Sequence, residues 1–187
     1  VHSAYMDIKG TLADNLDKNV KRILDLGAGT GLELIHVFEL FPDVEVTVVD
    51  ITENMLEKLK NRSFSNNVVA ICGDFFEVSF GDNYDAVIST SALHHFKKNE
   101  KLKLYRKIYN CLKENGQFIN CDKIALTQEI EDKQLFELEN NVENYKHVDT
   151  PLTVGHEKEV LENVGFKEIT ASDVNRNDYC LIKARKI

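Results

Sequence analysis

The densest concentration of residues suited to ligand chemistry is Ile23-Leu24-Asp25-Leu26-Gly27-Ala28-Gly29-Thr30-Gly31. Here an apolar run ends at alternating glycines. They let the backbone turn tightly and let a ligand approach with no Cβ in the way. The helix that follows aims its N-terminal amides into the same space. Taken alone, such a loop can also be no more than a strand-to-helix turn. Its spacing discriminates between ligands. The dinucleotide fingerprint G-x-G-x-x-G needs glycine or alanine at position 32, where this chain has Leu32. The loop holds no lysine, which excludes a P-loop. The G-x-G-x-G form fits an amino-acid carboxylate better than a pyrophosphate.

Asp50 ends the apolar run Val44–Val49. A carboxylate there can accept hydrogen bonds from two vicinal ribose hydroxyls, or can cap the helix that starts after Thr52. Gly73-Asp74-Phe75-Phe76 follows another apolar run. Asp74 can accept from an adenine amino group, and Phe75 can offer ring contact. Tyr84–Ser89 leads into Thr90-Ser91-Ala92-Leu93-His94-His95-Phe96. Imidazoles titrate near neutrality, so His94 and His95 are candidate general bases. The alternative is one histidine in the core and the other capping a turn. Asp122 is a candidate for orienting an acceptor, and His156 a weaker one for reaching the site. No H-x-x-x-H, acidic triplet or Cys/His cluster has ligand spacing, so the sequence implies no metal.

Elements must carry these residues to one place. Short β-rich runs alternate with amphipathic helical runs, the pattern of a parallel sheet covered by helices. Strands are expected at 22–26, 44–49, 68–72, 84–89 and 117–121, with a closing pair at 166–171 and 179–184. Helices are expected at 30–41, ended by Pro42, at 53–60 and at 97–112, the last capped by Gly116. Its lysines and Arg106 read as a solvated face. Residues 126–146 are polar, acidic and only loosely periodic. A last helix ends at Gly165.

The chain has 187 residues, 23 Lys plus Arg against 31 Asp plus Glu, and a net charge of −8. That length suits one domain over residues 1–187. The acidic balance makes a phosphate backbone an unfavoured partner, so nucleic acid is not expected. The four cysteines, none in a C-x-x-C pair, read as small buried hydrophobes in a reducing cytosol. With no apolar stretch of membrane-spanning length, the chain is expected in the cytoplasm. Nothing fixes an oligomeric state.

Taken in order, the glycine motif, Asp50, Gly73-Asp74 and the YDAVISTSALHHF segment resemble the class I S-adenosylmethionine-dependent methyltransferases. Leu112-Lys113-Glu114-Asn115-Gly116-Gln117 and Leu161-Glu162-Asn163-Val164-Gly165-Phe166 continue the match, with Asn115 in place of a family glycine. The resemblance implies an α/β, Rossmann-like three-layer sandwich whose seven-stranded, mostly parallel sheet has an antiparallel last strand. It also implies S-adenosylmethionine as cofactor. Gly27, Ala28, Gly29 and Gly31 would hold the methionine moiety with Asp25 nearby, and Asp50 the ribose. Ile51 and Met55 would surround the adenine, Asp74 and Phe75 would contact it, and Ser89 and Thr90 would floor the sulfonium. Tyr5 would cover the cofactor.

An N/D-P-P-Y/F motif is absent, and neither proline, Pro42 or Pro151, precedes a cysteine. With the acidic charge, these absences point to a small-molecule methyl acceptor, and residues 123–156 are expected to form its lid. Competing readings are a non-methyl reaction on the same cofactor, an inactive cofactor-binding subunit, and a nicotinamide-dependent oxidoreductase.

Overall fold

The computed structural model describes residues 12–140, 149–174 and 176–187; Tyr5 and residues 141–148 of the expected lid lie outside them. The strands are β1 (Arg22–Leu26), β2 (Glu45–Asp50), β3 (Val68–Cys72), β4 (Tyr84–Thr90), β5 (Leu112–Lys123), β6 (Lys167–Val174) and β7 (Arg176–Arg185). The helices are α1 (Leu32–Leu40), α2 (Glu53–Lys60), α3 (Lys98–Cys111), α4 (Gln128–Asn140) and α5 (Val154–Val164). The seven strands form one sheet in the order β3-β2-β1-β4-β5-β7-β6. Pairing is parallel from β3 through β5, and β7 runs antiparallel to both β5 and β6.

The period-2 alternation of strand side chains divides the core into two layers. Ile23, Val46, Val48, Ala86 and Ile88 meet Leu34 and Val37 of α1 and Leu56 and Leu59 of α2. Leu24, Leu26, Val49, Val87 and Phe118 meet Leu104 and Ile108 of α3 and Val160 and Leu161 of α5. Both faces of the central strands are therefore buried, which is why they read as continuous apolar runs. Thr153 caps α5 by accepting from the His156 amide, and Gly165 stops that helix at φ 118°. Among the described residues, no helix is long and apolar enough to cross a membrane.

Three expectations are corrected. Gly116 does not cap α3. The helix stops at Cys111, and the chain passes directly into β5 with a register shift opposite Tyr84 to Ala86. Cys72 is exposed, whereas Cys111, Cys121 and Cys180 are buried. Burial pushes the Cys111 and Cys121 thiols up to about 12, so both are inert. The basic face of α3 is only partly solvated. Lys101 is 1% exposed and forms an ion pair with Glu157 of α5, whose other oxygen accepts from Tyr105 Oη at 2.7 Å. Burial, reinforced by Glu157, holds the Tyr105 phenol well above its ordinary pKa.

A buried pair of this kind costs most when half of it is removed. Lys101→Ala is expected to destabilise the protein by about 3–5 kcal/mol, because Glu157 is left charged and dry. Lys101→Met combined with Glu157→Leu and Tyr105→Phe, which removes the hydroxyl that Glu157 accepts from, should recover most of that loss. Urea denaturation of the three proteins checks both statements, and a Lys101→Ala loss below about 1 kcal/mol, the size of an exposed pair, would contradict the burial argument.

Candidate functional site

Strand order reverses between β1 and β4, and ligands of open α/β sheets bind at the carboxyl edge of such a switch point. A cavity of about 520 Å³ lies there. Gly27 and Gly29 line it after β1, Asp50, Ile51, Thr52 and Met55 at and after β2, and Gly73, Asp74 and Phe75 after β3. Ser91, Ala92, His95 and Phe96 close it after β4. A more open hollow of about 700 Å³, beside Lys18, Pro42 and Lys113, sits where β1 and β2 begin, away from the glycine loop.

Asp50 organises the cavity's upper wall. Its Oδ2 accepts from the Gly29 amide at 2.8 Å and its Oδ1 from the Thr52 amide at 2.7 Å. The carboxylate thus ties the glycine loop to the start of α2, while each oxygen keeps a second lone pair. Gly27 turns at φ 79°, and a Cβ there would collide with that of Ala92. Gly29, at φ 54°, has open space on the corresponding side, so a side chain there would enter the cavity.

Lys107 of α3 braces the wall that carries Asp74 and Phe75. Its Nζ donates to the Phe75 carbonyl at 2.6 Å and to the Val78 carbonyl, and lies 4.3 Å from the Phe80 ring centroid. Burial lowers the lysine's pKa, against the raising influence of Asp74 and Glu77. Phe96 packs on Phe75 at 5.9 Å and on Phe76 at 5.3 Å between ring centroids. The chain pattern had placed Lys107 on a solvated face; its carbonyl partners lie 32 and 29 residues away.

The structure divides the expected site residues. Gly27, Gly29, Asp50, Ile51, Met55, Asp74, Phe75 and His95 line the cavity; Asp25, Ala28, Gly31, Ser89, Thr90, His94 and Asp122 are not among its lining residues. Asp25 is buried within β1. Gly31 donates to the Ala28 carbonyl at 2.8 Å, closing the turn into α1. Ser89 donates to the Leu26 carbonyl at 2.8 Å and is fully buried. β4 runs on through Thr90, and it is Ser91 and Ala92, just after it, that line the cavity. His156 is committed elsewhere, with Nδ1 2.6 Å from Glu131 of α4.

At the cavity's far end Asp122 holds a short turn, Leu93–His95. Its Oδ2 accepts from the Leu93 and His94 amides at 2.7 and 3.0 Å, and its Oδ1 lies 2.6 Å from His94 Nδ1. Asp149 approaches from the segment before α5. Its Oδ1 is 3.5 Å from His94 Nε2 and 3.4 Å from His95 Nδ1, and its Oδ2 accepts from Lys123 Nζ at 2.7 Å. Burial raises the Asp149 pKa, but the Lys123 hydrogen bond and the two histidines outweigh it and hold the group below the ordinary carboxylate range. Asp149 sits 27 residues beyond Asp122 in a polar stretch that gives no chemical signal. Sequence reasoning therefore missed it.

Comparison with known proteins agrees with this geometry. A methyltransferase-domain family model matches residues 23–116. The chain is 29% identical over 185 residues to the carboxy-S-adenosyl-L-methionine synthase of Campylobacter fetus, covering 95% of this chain and 76% of that protein. It is 30% identical over 180 residues to the synthase of the same name from Helicobacter pylori, covering 86% and 75%. It is 34% identical over 122 residues to the malonyl-acyl-carrier-protein O-methyltransferase of Acetivibrio thermocellus, covering 62% and 42%. Among solved structures, a candidate O-methyltransferase from Nostoc punctiforme superposes with a TM-score of 0.80 at 24% identity, over 99% of this chain and 57% of that one. Human N-acetylserotonin methyltransferase, solved with S-adenosylmethionine, superposes with a TM-score of 0.74 at 24% identity, over 95% and 51%. The chain thus spans just over half the length of these two structures. Its fold, its switch-point cavity and its matched domain make it a member of the class I S-adenosylmethionine-dependent methyltransferases.

Proposed function

We propose that this chain transfers the methyl group of S-adenosylmethionine to a small-molecule acceptor. The observation that carries the reading is the charge of the cavity. Two carboxylates, Asp50 and Asp74, line it with five apolar side chains (Ile51, Met55, Phe75, Ala92 and Phe96), and among the described lining residues there is no lysine or arginine. Such a wall suits a nucleoside bearing a sulfonium and an ammonium, and repels a pyrophosphate. Its volume is that of an ordinary small-molecule site.

In this reading Gly27 and Gly29 admit the methionine end, and Asp50 receives the ribose hydroxyls on its remaining lone pairs. Ile51, Met55 and Phe75 sandwich the adenine, and Asp74 accepts from its amino group. Bound cofactor supplies an electrophilic methyl on a good leaving group, so the protein's task is alignment in a water-poor space. The acceptor end is the turn carrying His95, with His94 and Asp122 positioning it from behind. α4, with Ile130 and Phe136 exposed, serves as part of a lid over residues 123–156.

A second reading has the reaction modify the cofactor itself, favoured by the 76% coverage of the Campylobacter fetus synthase. Incubation with labelled S-adenosylmethionine, followed by mass spectrometry, separates them. Methyl transfer yields S-adenosylhomocysteine and a heavier acceptor, whereas the other reaction yields a heavier cofactor.

S-adenosylhomocysteine is expected to raise the melting temperature, with linkage of about 2.7 kcal/mol at a ligand concentration 100 times its Kd, while NAD gives no shift. The reverse pattern would reject the reading. Asp50→Ala should weaken S-adenosylhomocysteine by at least about tenfold and also cost about 1–3 kcal/mol of stability, since the Gly29 and Thr52 amides lose their acceptor. Lys107→Met should weaken the same ligand by about tenfold, roughly 1.4 kcal/mol, with partial rescue by Lys107→Arg. Calorimetric titration of the three variants reads both effects. For the lid, hydrogen exchange across Gln128–Asn140 should be fast in the free protein and slow with cofactor and acceptor bound. Uniformly slow exchange in the free protein would eliminate the lid.

A further inference from the structure

We infer that His94, His95 and Asp149 form a binding site for a divalent transition-metal ion of the zinc class. The three residues offer one donor atom each, and these atoms lie within 4.8 Å of one another. They come from two segments, the turn after β4 and the stretch before α5. The Thr150 amide fastens the second to the first by donating to the His94 carbonyl at 2.8 Å.

The distances match the spacing of ligands around one metal ion. Charge-assisted N–H···O bonds run at about 2.7–2.9 Å. Lys123 meets that standard at Asp149 Oδ2, at 2.7 Å, and His94 Nδ1 surpasses it at Asp122, at 2.6 Å. Asp149 Oδ1 stands further from both histidines, 3.5 Å from His94 Nε2 and 3.4 Å from His95 Nδ1. Bonds of about 2.0 Å in a tetrahedron separate neighbouring ligand atoms by about 3.3 Å, close to both values.

The surroundings are those a metal requires. With its Nδ1 held against Asp122, His94 turns its Nε2 toward Asp149 Oδ1, so the ring is fixed with one nitrogen facing the candidate site. Asp122 thus occupies the place of the carboxylate that orients a metal-binding histidine, and Lys123 does the same for Asp149. Two imidazole nitrogens and one carboxylate oxygen form a borderline donor set, which selects zinc or cobalt over magnesium. His95 also lines the cavity, so the candidate site adjoins it.

The site's role rests on the methyl-transfer reading; its existence does not. An ion here would give an acceptor hydroxyl a positive partner and lower its proton affinity, so that the proton leaves to water. The oxygen then forms its bond to the methyl carbon as the carbon–sulfur bond breaks, the electron pair passing to sulfur as the neutral thioether. The acceptor class implied is a hydroxylated small molecule.

The test titrates the untagged, chelator-stripped full chain with zinc by calorimetry and with cobalt by visible absorption. One equivalent should bind, with the absorption of a four-coordinate cobalt site. Asp149→Asn and His95→Gln should each weaken binding at least about tenfold, and Asp122→Asn by about 10–100-fold. Because Asp122 also holds backbone amides, the first two variants decide the matter if the third fails to fold. Absence of binding, or binding unchanged in Asp149→Asn and His95→Gln, overturns the site. S-adenosylhomocysteine is titrated in parallel. Normal binding of that ligand without any metal binding removes this inference alone, while metal binding without ligand binding removes the methyl-transfer reading alone.

Discussion

Parallel pairing from β3 through β5 brings the carboxyl ends of these strands to one edge, and the candidate site is gathered there. The reversal of strand order between β1 and β4 opens a crevice at the middle of that edge, because successive connections leave it on opposite faces. Four separate loops then contribute to one cavity without any of them needing to be long. The cost is that strand ends leave backbone amides without ladder partners at the same edge.

Two buried carboxylates meet that need. Asp50 takes the amides of Gly29 and Thr52, and Asp122 those of Leu93, His94 and Lys123. Each acts as an anionic staple whose charge is spread over backbone donors, so burial does not leave it unsolvated. The two staples divide the work. Asp50 shapes the part of the cavity beside the glycine loop, while Asp122 fixes the turn that carries His94 and His95. Lys107 performs the converse operation on the third wall, where a cation collects carbonyl oxygens.

The fold was largely legible because its strands are apolar on both faces and its helices keep a 3.6-residue period. β1, α2 and β3 begin and end at the residues the pattern implies. What stayed hidden depends on partners remote in the chain. Lys101 and Lys107 look like solvated charges until Glu157 and the Phe75 and Val78 carbonyls are brought to them. Gly116 looks like a helix stop, but the strand register absorbs it. At the site, the glycine loop, Asp50 and Asp74 carry their chemistry in local spacing. The clustering of His94, His95 and Asp149 does not, since the turn and the loop meet only in three dimensions.

The residues just before α5, 149–153, are tied at two points. The Thr150 amide holds the His94 carbonyl, and the Thr153 amide holds Glu131 of α4, which also grips His156. Residues 149–153 therefore behave as a short tether rather than a slack loop. Glu131 of α4 holds one end of this tether and the His94 carbonyl the other. A shift of α4 would therefore pull, through five residues of tether, on the turn that carries the two histidines.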